Sequence, residues 1–212
     1  MTGASKDNPD PLQASLVDLP EGDAERDTVT AFFHKSLGLA AGKTVNFVSI
    51  KRIESLSLWQ SFVAKRSQMQ KRAAAEGLDQ AAVAAYERTW MFHGTFPDVI
   101  PKICGQGFNR SFCGRNAVRY GKGVYFATNS RYSNSYAQPD SNGIQRMFLC
   151  RVAVGEFCVG HNGQLVPDVR DANRGLLYDS TTDSLTDGNR NMFVVYHDAQ
   201  AYPEYLLEYK MQ

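Results

Sequence analysis

"TWMFHGT", residues 89–95, decides how the rest of the chain is read. An apolar run stops at a histidine, and a glycine follows at once. As a strand it alternates, so Thr89, Met91 and His93 share one face while Trp90 and Phe92 take the other. Taken alone, a His-Gly end is what a half-buried strand shows where it turns. From here onward short strand signals ("GVYFA", 123–127; "RMFLCRVAVGEF", 146–157; "NMFVVYH", 191–197; "EYLLEY", 204–209) are separated by glycine-rich loops and two short helices. Strands and helices are segregated rather than arranged as repeated βαβ units, which predicts an α+β fold.

Upstream, "TVTAFFHKSLG" (28–38) reads as a short helix stopped by Gly38, and "TVNFVSIKRIE" (44–54) as a β-branched, alternating strand. "SLSLWQSFVAKRSQMQKRAAAEG" (55–77) is an amphipathic helix with Leu58, Trp59, Phe62, Val63 and Met69 near one face and Gly77 as its stop. The alanine-rich stretch 79–87 adds a helical turn or two. Residues 1–27, with Asn-Pro-Asp-Pro and scattered acids, read as a disordered tail, leaving 28–212 as one domain.

The composition is that of an ordinary soluble domain, 43% hydrophobic and 21% charged, and a net charge of +1 gives no general reason for nucleic-acid or membrane binding. The distribution is less even. Residues 1–27 carry seven acids against Lys6 and Arg26, whereas the span from Val99 to Pro139 has no acid and holds Lys102, Arg110, Arg115, Arg119, Lys122 and Arg131. Cys104, Cys113, Cys150 and Cys158 lack C-x-x-C or zinc spacing, so no metal is expected and reduced, buried thiols are. With no signal sequence and no apolar run of spanning length, a cytoplasmic or nuclear setting is expected. "NRS" at Asn109 is then an idle glycosylation match.

Two decoys fall away. "GLAAGKT" (38–44) has three residues where a P-loop needs four, and it follows a helix, not a strand. Asp179, Asp183 and Asp187 are spaced by four, wrong for a calcium loop, and read as a solvated acidic loop.

Three segments could carry chemistry. In "GKGVYFA" (121–127) Tyr125 is flanked on its own face by Gly123 and Ala127, leaving room for something flat beside the ring; a tyrosine in a tight core layer fits equally well. In "NSRYSNSY" (129–136) Asn129, Ser133 and Tyr136 share a helical face, which either lies exposed or turns a hydroxyl and a phenol toward a ligand. Gly94 permits close approach to the backbone, whose N–H and C=O can pair with an amide.

This ordered set, His93-Gly94-Thr95, then "GFNRSFCGRNAVRYGKGVYFA" (107–127), then Ser133 and Tyr136, resembles the catalytic domain of the poly(ADP-ribose) polymerase family, the diphtheria-toxin-like ADP-ribosyltransferases. The likeness is greatest to the macrodomain-associated mono-ADP-ribosylating branch. "RIESLSLWQSF" and "MFVVYHDAQAYPEYLLEY" extend it over about residues 28–212. The resemblance implies two small antiparallel sheets forming an NAD+-binding cleft with flanking helices and no helical regulatory subdomain. It implies NAD+ as co-substrate, no metal, and protein acceptors, the chain itself among them.

Residue by residue, the resemblance implies that His93 binds the 2′-hydroxyl of the adenosine ribose. Gly94 pairs its backbone with the nicotinamide carboxamide, and Ser133 holds the same group. Tyr136 stacks on the nicotinamide and Tyr125 lines the opposite side. Thr95 and Ala127 adjoin them, and the loop Gly105–Tyr120, with Arg110 and Tyr120, covers the donor. The family's polymer-forming members carry a catalytic glutamate where this chain has Met192. That departure implies transfer of a single ADP-ribose, because methionine cannot bind the nicotinamide-ribose hydroxyl, stabilise developing charge or activate an acceptor hydroxyl. An inactive NAD+-binding module and an NAD+ glycohydrolase stay open as alternatives.

Overall fold

The computed structural model describes residues 14–38, 44–112 and 118–212. In chain order these form β1 (Ser15–Asp18), α1 (Ala24–Leu37), β2 (Val45–Glu54), α2 (Leu56–Ala75), α3 (Gln80–Ala84), β3 (Glu87–Gly94), α4 (Ile100–Gln106), β4 (Val124–Ala127), α5 (Ser130–Asn134), β5 (Gln145–Ala153), β6 (Phe157–Val159), β7 (Val169–Asp171), β8 (Leu176–Leu177), β9 (Ser180–Thr182), β10 (Met192–Val195) and β11 (Ala201–Met211). The fold is α+β, as the segregated pattern predicts.

The strands order as β1-β2-β11-β5-β3-β4-β10-β9-β6, with β7-β8 a separate two-stranded sheet. Neighbours run antiparallel except β6 and β9. The two sheets implied by the resemblance are thus halves of one surface, and their joint is narrow. β3 and β4 share a single Cα pair, Phe92 with Ala127, whereas β5 and β11 pair from Ala201↔Val152 to Tyr209↔Gln145. After that one pair the two strands diverge, and the cleft opens there.

Both faces of the central strands are buried, which is why "RMFLCRVA" reads as an apolar run. Met147 and Leu149 enter a core with Phe33, Phe92 and Tyr209 under α1. Phe148, Cys150 and Val152 enter a second core with Phe126, Phe193 and Ile103 on the side of α4. A third cluster, with Phe62, Met69, Tyr86 and Tyr202, seats α2.

The boundary expected at residue 27 is corrected. Residues 15–18 pair with β2, and α1 begins at Ala24. Asp23 caps that helix by accepting from Glu25 N–H at 2.7 Å, while Glu25 and Asp27 sit in its first turn, where the helix dipole favours negative charge. The acids that suggest disorder are helix-start signals. Residues 1–13 of the expected tail lie outside the described residues. Within β3 the alternation also breaks: Trp90 adopts φ 64°, the register shifts between Arg88 and Met91, and Thr89 is exposed. The left-handed backbone is held by packing. Trp90 donates Nε1–H to Glu204 at 2.8 Å and meets Phe32 edge-on. Beyond this bulge the face assignment holds, with Phe92 in the core under α1 and Met91 in the opposite one.

The Asp179–Asp187 segment is not uniformly solvated. The Asp179 carboxylate is only 8% exposed, accepting from Arg72 and from the backbone N–H of Glu156. Asp183 accepts from the backbone N–H groups of Asn191 and Met192 and ties β9 to β10. Asp187, 94% exposed, alone fits the expectation. Cys104 and Cys150 are free and buried, Cys158 is free but half-buried, and Cys113 lies outside the described residues. The P-loop-like stretch also falls mostly outside them; the helix before it is present, ending at Gly38 with φ 56°.

Candidate active site

Where β3 and β4 part, a cleft of about 390 Å³ opens between α4, β4 and α5. His93, Gly94, Thr95, Tyr125, Ala127, Ser133, Tyr136 and Met192, all singled out by the sequence, line it. Residues spread over a hundred positions meet because β3, β4 and β10 lie side by side.

His93 ends β3 with its ring against Phe108, edge-on at 5.0 Å, and Phe126. Its Nδ1 lies 2.8 Å from the Tyr125 carbonyl, which has no proton to give, so Nδ1 carries the hydrogen and Nε2 keeps a lone pair. Desolvation against the aromatic rings lowers its pKa below the usual histidine range, opposed by the bond to Tyr125. The ring is half-buried at the cleft, neutral at pH 7 and suited to accept from a hydroxyl.

Gly94 is required by packing. A Cβ there would lie 2.1 Å from the Ser133 carbonyl oxygen and 3.0 Å from the Ala137 nitrogen. The missing side chain lets α5 settle directly on β3, and this brings Ser133 and Tyr136 into the cleft. The expectation that glycine leaves space for a ligand is refined, since a helix backbone fills the Cβ direction. Asn129, expected to share the ligand-facing surface, instead caps α5 by accepting from Tyr132 N–H at 2.9 Å. Ser133 is buried and donates to the Phe92 carbonyl at 3.0 Å.

Tyr125 and Tyr136 provide the aromatic walls. The Tyr125 phenol is held at both ends of its hydrogen-bonding capacity, accepting from Tyr120 N–H and donating to the Gly121 carbonyl, each at 2.9 Å. Tyr136 lies beside Tyr132, their rings 5.6 Å apart and tilted by 37°. Met192, 3% exposed, pairs with Ala127 across β10 and β4. None of the described residues lining the cleft is a carboxylate.

Two expected donor-site residues are not brought to the cleft wall. Arg110 turns away, and its guanidinium donates to the carbonyls of Leu165 and Tyr196 at 3.4 and 3.2 Å. Tyr120 is not among the lining residues, and its backbone N–H holds the Tyr125 phenol. Arg115 lies outside the described residues. Conversely, Lys102 and Gln106 of α4, Phe108 and Tyr132 line the cleft without having been singled out there. A signal for Tyr132 existed, since it is four residues before Tyr136 and so on the same helical face. Among the described residues, no cluster of three or more His, Cys, Asp or Glu could hold a metal, and no helix is long and apolar enough to cross a membrane.

A cleft opening where a twisted antiparallel sheet splits, walled by a neutral histidine, a buried serine and paired tyrosines, defines an ADP-ribosyltransferase-type domain. The chain belongs to the poly(ADP-ribose) polymerase catalytic domain family, which it matches over residues 24–211. It is 34% identical to protein mono-ADP-ribosyltransferase PARP14 of Homo sapiens, over 92% of this chain and 10% of that protein. It is 35% identical to protein mono-ADP-ribosyltransferase PARP12 of Mus musculus, over 76% of this chain and 21% of the relative. With PARP11 of Mus musculus, also named a protein mono-ADP-ribosyltransferase, identity is 30% over 95% of this chain and 62% of the relative. The chain therefore spans between a tenth and three-fifths of these relatives' lengths.

Proposed function

We propose that this domain transfers one ADP-ribose unit from NAD+ to a protein side chain and releases nicotinamide. The observation that carries the reading is Met192, buried in the wall of a cleft whose lining includes His93, Ser133, Tyr125 and Tyr136 but no described carboxylate. The lone pair of His93 Nε2 suits a ribose hydroxyl. The hydroxyl of Ser133, now spent on Phe92, suits a carboxamide at Gly94. The faces of Tyr125 and Tyr136 suit a flat cationic ring.

In the reaction the C–N glycosidic bond breaks with its electron pair leaving on nicotinamide, which departs neutral. An acceptor oxygen or nitrogen supplies the pair for the new bond. Since none of the described lining residues is a carboxylate, the chain's contribution is orientation and water exclusion, and an acidic acceptor side chain provides the negative charge itself. Chain growth on a previously attached ADP-ribose needs a base at position 192 and so stops after one unit.

The names of the relatives support single transfer to protein acceptors. The free thiols of Cys104, Cys150 and Cys158 support a reducing, cytoplasmic or nuclear setting. The test is intact mass of the chain and of candidate acceptors after incubation with NAD+. Adducts of single ADP-ribose units are expected. A ladder of multiples defeats the role given to Met192. Free ADP-ribose without protein label marks a glycohydrolase, and no nicotinamide release marks a binding module.

A further inference from the structure

Behind the Tyr125 wall three hydroxyls and two backbone carbonyls form a knot that neither the cleft nor the motif residues explain. Thr181, on β9 and fully buried, donates to the Tyr120 carbonyl at 2.7 Å. Having given its one proton there, it accepts from the Tyr196 phenol at 3.0 Å. Tyr196, at the end of β10 and 8% exposed, lies 3.3 Å from the same carbonyl. Burial holds its phenol protonated, with a pKa raised above the usual tyrosine value.

The knot is sterically built for this contact. Gly121 has φ 123°, and a Cβ there would fall 1.8 Å from Tyr196 Oη. A Cβ on Gly160, after β6, would fall 2.0 Å from the Tyr120 oxygen. Two glycines thus leave space for the phenol and the carbonyl. Tyr120 and Gly121 are also the residues that bind the Tyr125 hydroxyl, through the N–H of one and the C=O of the other. The relay therefore runs Tyr196 to Thr181 to Tyr120, and the same dipeptide sets the Tyr125 ring.

We propose that Thr181 and Tyr196 are positioning residues for the donor: through Tyr120 and Gly121 they fix the Tyr125 ring as a rigid cleft wall. This rests on the reading of the cleft as an NAD+ site. Neither residue lines the cleft, so neither touches the donor. A wall that contacts the donor alike before and during bond breaking contributes uniform binding, so its loosening raises KM and leaves kcat.

The test compares Thr181→Val, Thr181→Ser and Tyr196→Phe with the unaltered chain, by nicotinamide release at varied NAD+ and by thermal unfolding. Thr181→Val keeps the shape and removes the proton donor. It is expected to raise KM for NAD+ about tenfold with kcat within about threefold, the effect of one lost buried hydrogen bond. Thr181→Ser restores KM. Tyr196→Phe shifts KM in the same direction, and the double variant is no worse than Thr181→Val alone, because both act through one relay. Amide exchange at Tyr120, whose N–H is held by Tyr125, speeds up in Thr181→Val without any ligand. If Thr181→Val does not fold, Tyr196→Phe carries the same readouts. An unchanged KM in a folded variant, a loss confined to kcat, or failure of serine to rescue overturns the positioning role and leaves the donor reading intact. A parent chain that takes up no NAD+ overturns both.

Discussion

Substituting Gly94 with alanine tests the site at its tightest point. The added methyl would sit 2.1 Å from Ser133 O and 3.0 Å from Ala137 N, both backbone atoms. Relieving that overlap needs α5 to retreat from β3 by roughly 1.4 Å, because non-bonded heavy atoms rest near 3.5 Å apart. Overpacking of this kind costs about 1–3 kcal/mol, and the upper end applies because two backbones collide with no flexible side chain to yield. For a domain of this size about 3 kcal/mol lowers Tm by roughly 6–12 °C. The functional cost is larger than the stability cost. The retreat carries Ser133 and Tyr136 with it, and a 1 Å misplacement of positioning groups costs on the order of 100-fold in rate. Scanning calorimetry and nicotinamide release measure the two effects. Gly105→Ala is the control, since Gly105 sits in α4 with nothing within 4 Å of its Cβ position, and alanine there should match or slightly exceed the parent's stability. Parental Tm and turnover in Gly94→Ala would refute the claim that helix–strand contact builds the site.

Acid pH should spare the donor site longer than an ordinary histidine would. His93 has a lowered pKa, so its Nε2 lone pair persists below about pH 6.5, and KM for NAD+ stays flat through that range before rising. Stability moves differently. The unfolded chain takes up the proton first, so the stability present above about pH 6.5 declines as pH falls toward the folded value, with His197, also lowered, adding to the slope. Urea titrations across pH 5–8 check this, and a pH-independent midpoint would contradict it. Lys102→Glu at the cleft should raise KM for NAD+ about five- to tenfold at low salt and much less at high salt, because screening shortens the reach of the charge; a salt-independent change would mean steric damage. Asp179→Asn should cost about 2–3 kcal/mol of stability by leaving the Arg72 guanidinium poorly compensated, with KM for NAD+ unaltered. An unchanged Tm would show that pair to be idle.

Much of the site is legible in the sequence because its residues fall on elements with clear periods. His93 ends a strand, Tyr125 sits between small residues on another, and Ser133 and Tyr136 share a helical face. What the sequence hides is set by tertiary contacts. Arg110 lies in a basic loop, yet its guanidinium is claimed by the carbonyls of Leu165 and Tyr196, fifty-five and eighty-six positions away. Residues 15–27 look unstructured by composition, and pairing with β2 and the Asp23 cap overrule that. Local acidity does not reveal that a capping geometry follows. The left-handed Trp90 is equally invisible, since no turn residue marks the bulge and its seating on Phe32, Tyr205 and Glu204 is a tertiary matter. Thr181 lies in no quoted motif and Tyr196 in one without a role of its own, and their pairing appears only when β9 and β10 lie together.

The single Phe92–Ala127 pair linking the two sheet halves has a mechanical consequence. With one ladder pair there, β4, β10, β9 and β6 are held to the larger half mainly by side chains, through the shared core, the His93–Tyr125 bond and the Arg72–Asp179 pair, and not by a continuous backbone ladder. Any molecule that grips His93 on one bank and Tyr125 on the other reinforces the bond these two residues already make across the seam. Inhibitors that straddle the seam should therefore slow amide exchange in β9, a strand that does not line the cleft.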